Sequence, residues 1–143
     1  MPFALPQGHA AAARLLGGIY YWAHGVAVDY ERARAAYRVG ADGGDASCQW
    51  QLGEMYLAGR GVDVDDELAL KWIRKAASQY EPNALGQLGE AYFVGRGVVP
   101  SWRQARAYYR QAIELGCSGV IVRLQLLNIS IRQVTWQQSL ISR

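Results

Sequence analysis

The side chains that could carry out chemistry are few and widely separated in this sequence. The only thiols are Cys48 and Cys117, and the only imidazoles are His9 and His24. Neither histidine has a second ligand three or four residues away, and no cysteine accompanies them at metal-site spacing. No serine stands in a Gly-x-Ser-x-Gly setting. We therefore expect no metal, no cofactor and no small-molecule substrate, and the sequence predicts a protein that is not an enzyme.

Two carboxylates are the remaining candidates for catalysis. Glu54 and Glu90 are 36 residues apart, and each stands six residues before an arginine, Arg60 or Arg96. Separated by one repeat, they would lie about 10 Å apart and could serve as acid and base. A ladder of charges on an open helix face is the commoner arrangement, and we favour it. The Gly-Arg-Gly-Val around each arginine lacks the Lys-Ser/Thr of a phosphate-binding loop, so we interpret its glycines as turn residues.

The composition is typical of one globular domain. Of 143 residues, 51% are hydrophobic and 19% charged, and no apolar run approaches the roughly 18 residues of a membrane span. The first eight residues carry no lysine or arginine, and the alanine run at 10–13 is too short for a signal-peptide core. The sequence as given predicts a cytoplasmic protein, and a leader that had been removed would leave no trace in it.

The net charge of +3 comes from the last third of the chain. Six arginines there are opposed by Glu114 alone: Arg103, Arg106, Arg110, Arg123, Arg132 and Arg143. The first three fall on one helical face and could meet phosphates, which would make the chain a binder of nucleic acid or of an acidic surface. Because 13 arginines accompany only two lysines, a GC-rich genome explains the excess as readily, and nucleic acid ranks below protein as a partner.

A 36-residue repeat positions all of these side chains. Leu-Gly-Glu-Met-Tyr at 52–56 and Gly-Arg-Gly-Val at 59–62 return as Leu-Gly-Glu-Ala-Tyr at 88–92 and Gly-Arg-Gly-Val at 95–98. A related copy begins 36 residues earlier, at Leu16. The sequence therefore predicts one domain over 1–143, with repeats at about 8–43, 44–79 and 80–115 and a capping segment at 116–143.

Each repeat predicts two helices. Apolar residues recur at helical spacing, Gly-x-Gly ends the first helix, and Asp29, Asp65 or Ser101 can cap the second. Gly17, Gly53 and Gly89 fall inside helices despite their propensity cost, which indicates close helix–helix approach. Helices are predicted at about 9–23, 30–41, 46–58, 66–79, 82–94 and 102–115, with a seventh at about 118–131.

The recurring residues resemble the Sel1-like repeat, a relative of the tetratricopeptide repeat. In the third copy the pattern is carried by Ala84, Leu88, Gly89, Tyr92, Gly95, Gly97, Val98, Ala105 and Tyr108. The first copy departs from the pattern at Ala23, where glycine is expected, and Gln125 and Asn128 replace the glycine and tyrosine of a fourth copy. The resemblance implies an all-α, right-handed α-α superhelix of three hairpins plus a degenerate C-terminal capping helix. It also implies a non-catalytic adaptor in protein complexes, with bacterial relatives linked to secretion, envelope and host-interaction systems.

The two cysteines are predicted to be free thiols. Cys48 occupies the position of Ala12 and Ala84 on the apolar stripe, so it is interpreted as a small buried hydrophobe. Stacked repeats would place its sulfur on the order of 20 Å from that of Cys117, too far for a disulfide. Free thiols favour an intracellular setting.

The face opposite the packing stripe of each first helix predicts a concave binding groove. On a helical wheel centred near position 52, positions 50, 54 and 57 lie on this free face. The predicted groove residues are Tyr21, Trp50, Leu57 and Phe93, with Arg14, Glu54 and Glu90 for polarity, and their equivalents in the trailing helix are Val122, Leu126 and Ile129. Exposed aromatic and aliphatic side chains in a row are typical of interaction sites. Alternatively, neighbouring helices or the tail cover these side chains.

The tail at 132–143 and the partner leave alternatives open. Trp136, Leu140 and Ile141 have helix-like spacing and could pack on the last helices, or the apolar C-terminal end could drive homodimerisation. For function we favour an adaptor that binds a peptide or partner protein in the groove. A regulatory or immunity-type protein for a bacterial effector is the narrower alternative, followed by a nucleic-acid binder.

Overall fold

The computed structural model describes residues 7–23 and 27–142, and every regular element within these ranges is helical. The α-helices are α1 (Gln7–Trp22), α2 (Tyr30–Asp42), α3 (Ala46–Ala58), α4 (Asp66–Ala77), α5 (Pro82–Val94), α6 (Trp102–Glu114) and α7 (Ile121–Ile141), and a short 3-10 turn, Ser118–Val120, precedes α7. The predicted all-α fold class is confirmed.

The helices form three consecutive hairpins. Helix α1 packs along α2, α3 along α4 and α5 along α6, while α3 also rests on α2, α5 on α4 and α7 on α6. Within the described residues each hairpin therefore packs mainly on its neighbours in the chain, which is the arrangement of a solenoid. The last helix takes the position of the first helix of a fourth hairpin.

The predicted caps fix where the second helix of each hairpin begins. The side chains of Asp29, Asp65 and Ser101 accept hydrogen bonds from backbone N–H groups three residues later, at 3.0, 2.9 and 3.3 Å. The first helices end at a left-handed residue, with φ of 66° at Gly59 and 75° at Gly95. Ala23 takes the same conformation, with φ of 57°, so the backbone of the first turn keeps the repeat's geometry at this residue.

The buried glycines let the two helices of each hairpin approach closely. A Cβ atom added at Gly17 would lie 2.5 Å from the Tyr37 ring, and one added at Gly89 would lie 2.5 Å from the Tyr109 ring. At Gly53 it would meet Ile73 at 2.5 Å. The close approach predicted from these glycines is confirmed, and large side chains from the second helix fill the space they leave.

A continuous core runs along the three hairpins. It includes Leu52, Met55, Ile73 and Leu88. Cys48 is fully buried within it, as predicted for a small apolar side chain, and both cysteines are free thiols. A smaller cluster, in which Leu127 of α7 is buried with Ala105 and Tyr109, attaches the last helix to α6.

Helix α7 differs from its prediction in length and in packing. It runs to Ile141 and not to about 131, because no glycine or proline interrupts 121–141. The expectation that Trp136, Leu140 and Ile141 could pack on the last helices is wrong, since all three are exposed. Although α7 is the longest helix, none of the helices described here is both long and apolar enough to cross a membrane.

Candidate functional site

The first helices of the second and third hairpins, together with the start of α7, enclose an open pocket of about 440 Å³. Helix α3 contributes Trp50, Glu54, Leu57 and Ala58, and α5 contributes a stripe from Asn83 to Val94. Residues 117–123 close the pocket on the third side. The pocket lies between successive first helices, where the helical wheel predicts the groove.

Four of the seven predicted groove residues meet at this pocket, namely Trp50, Glu54, Leu57 and Glu90. Phe93 is exposed but does not line it. Arg14 is also exposed and forms an ion pair with Asp45 at 3.6 Å, which joins the first hairpin to the N-terminus of α3. The structure therefore places Arg14 at an inter-repeat contact.

The prediction of an exposed Tyr21 is wrong, because only 4% of this residue is exposed. Its ring packs edge-on against Tyr30 and Tyr37, with centroids 5.4 and 6.4 Å away. Arg60, from the Gly-x-Gly loop of the next repeat, donates a hydrogen bond to the Tyr21 hydroxyl and lies 5.3 Å from the ring centroid. A helical wheel omits this covering loop because it treats one helix at a time.

Coverage by the Gly-x-Gly loop of the next repeat also explains why the exposure of equivalent residues increases along the solenoid. Tyr21, Leu57 and Phe93 occupy equivalent positions and are buried, half-buried and 46% exposed, respectively. Arg96, the equivalent of Arg60, donates a 2.6 Å hydrogen bond to the Leu57 carbonyl. Phe93 has no further Gly-x-Gly loop above it in the described chain.

The charged side chains of the pocket form hydrogen bonds or ion pairs within the protein. Gln87 donates a hydrogen bond to Glu54, and Arg123 forms an ion pair with Glu90. Tyr109 donates a second hydrogen bond to Glu90 at 2.9 Å. Burial, followed by this carboxylate, raises the pKa of Tyr109 above its ordinary value.

These pairings argue against the acid–base arrangement. Glu54 and Glu90 have different partners, and each is neutralised or hydrogen-bonded in place. The arginines that follow them by six residues bind elsewhere, because Arg60 contacts Tyr21 and Arg96 binds Asp66 at 2.8 Å. Both arginines therefore connect neighbouring repeats.

What the pocket leaves open to a ligand is mostly apolar. Its apolar lining comes from Trp50, Leu57, Ala58, Ala91, Val94 and Val120. Gln87, Val94 and Arg123 were not among the predicted site residues. Continuing the i, i+3, i+4 stripe from Asn83 along α5 would have identified the first two, and a 36-residue step from Gln87 leads to Arg123.

The basic side chains of the last third that the structure describes are divided between α6 and α7. Arg123 lies in the pocket, whereas Arg103 and Arg106 lie on α6, with guanidinium carbons 5.3 and 5.9 Å from the centroid of the Trp102 ring. Arg110 is exposed on the same helix. His9 is exposed on α1, while His24 and Arg143 lie outside the described residues.

Comparison with known proteins identifies the repeat. The model of the Sel1 repeat matches residues 10–45, 46–80 and 82–117. No curated protein sequence matches the chain. Among solved structures, a Sel1 repeat protein from Oxalobacter formigenes is 34% identical with a TM-score of 0.72, and the match covers 83% of this chain and 90% of that one.

Two further structures share the architecture. The protective antigen c5321 of uropathogenic Escherichia coli, which displays an SLR fold, is 39% identical with a TM-score of 0.72 over 77% of this chain. The match spans about a quarter of that antigen, 24% of its chain. Helicobacter pylori cysteine rich protein B has the same fold, with a TM-score of 0.65 and 21% identity over 79% of this chain and 86% of that one. With three family matches covering most of its length, the chain belongs to the Sel1 repeat family.

Proposed function

We propose that this chain is an adaptor that binds a peptide or a partner protein in the groove between α3, α5 and the start of α7. Sel1 repeat proteins are generally scaffolds for protein interaction and are typically non-catalytic. The observation that carries the proposal is the pocket itself, whose charged groups are held by internal hydrogen bonds and ion pairs while its apolar lining remains open. An apolar side chain of a partner can pack on this lining.

Two polar atoms favour an extended peptide as the ligand. Among the described residues, Trp50 Nε1 is a buried donor and Gln87 Oε1 a buried acceptor, and neither has a hydrogen-bond partner. Both side chains line the pocket. A buried polar group without a partner costs about 1–3 kcal/mol, so a small side-chain rotation toward a ligand would recover that energy. An extended backbone offers the complementary carbonyl and N–H.

The experiment blocks the pocket with a large side chain introduced at one of its lining residues. A Cβ added at Gly119, which lines the pocket, would meet no atom within 4 Å, and the same is true of Gly8 on α1. Gly119→Trp should therefore block the groove without disturbing the fold, and Gly8→Trp is the matched control. Peptides selected from a random library on the wild-type chain are measured by fluorescence polarisation against both variants.

We expect Gly119→Trp to weaken peptide binding at least tenfold, about 1.4 kcal/mol, and Gly8→Trp to leave it unchanged. Circular-dichroism melts of the two variants should match that of the wild type. Peptides that bind Gly119→Trp as tightly as the wild type would show that the ligand occupies another surface. A library that yields no binding peptide would also contradict the proposal.

There are two alternatives to a general adaptor: one uses the same groove, and the other uses a different surface. A regulatory or immunity-type protein for a bacterial effector would use this groove, and only the identity of the partner separates it from a general adaptor. The free thiols Cys48 and Cys117 support a reducing, cytoplasmic setting for either role. A nucleic-acid binder would instead use Arg103, Arg106 and Arg110, and salt-sensitive retention of nucleic acid on a filter would reveal it.

A further inference from the structure

Helix α7 has apolar side chains on two opposite faces, and only one face is packed. The inner face, with Leu124, Leu127 and Ile131, lies in the cluster that joins α7 to α6. The outer stripe consists of positions 122, 126, 129, 133, 136 and 140, which are Val122, Leu126, Ile129, Gln133, Trp136 and Leu140. Its five apolar members are 50–67% exposed. Charged or polar residues would normally occupy a solvent-facing stripe of this length.

The spacing of the outer stripe is that of a coiled-coil seam. Successive positions are separated by 4, 3, 4, 3 and 4 residues, the heptad pattern that brings two helices together along their length. The pattern reads the same in both directions about residue 131. It is therefore complementary to itself when a second identical helix runs antiparallel.

The equivalent face is covered in the earlier repeats. On α3, Trp50 and Leu57 are half-buried beside α5, and Gln87 of α5 binds Glu54. On α5, a Cβ added at Gly86 would lie 3.0 Å from Val120. The outer stripe of α7 is thus the face that the first helix of a following repeat would cover, and no such helix follows in the described chain.

We propose that this helix is supplied by a second copy of the chain, with α7 pairing antiparallel to α7 about a two-fold axis near Ile131. Leu126 then faces Trp136 of the partner subunit, and Val122 faces Leu140 of the partner subunit. Antiparallel pairing also separates the two solenoid bodies, because α6 contacts only the N-terminal half of each α7. Parallel pairing would bring both bodies to the same end of the pair.

The size and charge of the surface suit a reversible dimer. The stripe exposes about 600 Å² per chain, somewhat below the roughly 800 Å² per partner of a standard interface, so a weak, reversible association is expected. The charged side chains of the described α7 are Arg123, held by Glu90, and Arg132. Arg132 would face its own symmetry mate, and salt should therefore tighten the dimer.

Sedimentation equilibrium of the whole chain from 1 to 300 μM tests the pairing. We expect the mass to rise from the 15.8 kDa of one chain to twice that value. Leu126→Glu and Trp136→Glu should each remove the association, whereas Gln138→Glu, on the opposite face of the exposed half of α7, should not. Raising NaCl from 50 to 500 mM should lower the Kd about twofold. A monomer at every concentration, or dimers of both stripe variants, would overturn the proposal.

Cysteine cross-linking tests the direction, in a Cys117→Ser background. Leu126→Cys chains mixed with Trp136→Cys chains should oxidise to a mixed disulfide dimer, while either variant alone should not. Disulfide dimers of Leu126→Cys alone would indicate parallel pairing and contradict the proposal. Gly119→Trp should leave the dimer intact, so the failure of groove binding and the failure of dimerisation are separately measurable.

Discussion

At the scale of single residues, two side chains stand where the repeat places glycine in a left-handed backbone. Ala23 has φ of 57°, and Tyr80 has φ of 61° at the position held by Gly44 and Gly116 in the other repeats. For an L-residue this conformation costs about 1–2 kcal/mol. Glycine adopts it freely, so both sites store strain that the neighbouring repeats avoid.

Replacing either residue by glycine should therefore stabilise the protein. We expect Ala23→Gly and Tyr80→Gly each to raise the free energy of unfolding by about 1 kcal/mol, measured by urea denaturation. The Tyr80 side chain is 73% exposed and loses little packing. As a control, Ala35→Gly in the exposed middle of α2 should lower the same quantity by about 1 kcal/mol. A loss of stability in both left-handed variants would contradict the explanation.

Tyr37 should make the stability of the protein fall at alkaline pH. Burial, then the nearby Cys48 and Tyr21, raises the pKa of Tyr37 to about 12 from 10.0. Because the folded-state pKa is the higher one, its contribution is complete below pH 10 and is lost as pH rises from 10 to 12. That loss amounts to at most about 2.7 kcal/mol. Tyr37→Phe keeps the ring, so its free energy of unfolding should fall less steeply over this interval in urea titrations. An identical slope in both proteins would exclude this role.

At the scale of elements, substitutions at the adjacent glycines of α1 distinguish the effect of helix propensity on stability from that of helix packing. A Cβ added at Gly17 would lie within 2.8 Å of three Tyr37 ring atoms, whereas one at Gly18 would come no closer than 3.8 Å to the Tyr37 hydroxyl. Gly17→Ala should lower the free energy of unfolding by about 1–3 kcal/mol, because the ring must move. Gly18→Ala should raise it by up to about 1 kcal/mol. Thermal melts that change equally for the two variants would show that the ring moves at little cost.

Much at this scale was predictable from the repeat alone. The 36-residue period, the caps at Asp29, Asp65 and Ser101, and the glycine contacts follow from local chemistry. The burial of Tyr21 could not be predicted in this way, because Arg60, which covers it, comes from the next repeat. The length of α7 was missed because the family pattern ends near 116 and gives no end for this helix, although no glycine or proline follows Gly119.

At the scale of the molecule, arginines at equivalent positions fasten each repeat to the one before it. Arg60 reaches back to Tyr21, and Arg96 reaches back to Asp66 and to the Leu57 carbonyl. Solenoid stability is the sum of repeat and neighbour-interface terms, so these contacts set how cooperatively the hairpins unfold. They also explain why a Gly-x-Gly loop with a central arginine recurs without any phosphate to bind.

The arginine contacts predict a loss of stability that is specific to the interface. Arg96→Ala removes two hydrogen bonds, one of them to a carboxylate, and should lower the free energy of unfolding by about 1–2 kcal/mol in urea denaturation. Arg74→Ala, on the exposed side of α4, is the control and should change it by less than about 0.5 kcal/mol. Equal effects of the two substitutions would show that Arg96 contributes no more than a surface charge.

The packing also predicts a gradient of amide hydrogen exchange along the chain. Helices α3 and α4 are packed on both sides and should exchange only through global unfolding, whereas no side chain of the described residues 132–142 is buried. At low micromolar concentration the amides of 133–142 should exchange within about tenfold of the rate of an unstructured chain. At 300 μM, pairing of α7 should slow them, and Leu126→Glu should abolish this slowing. Strong protection of 133–142 at every concentration would mean that α7 is supported within a single chain.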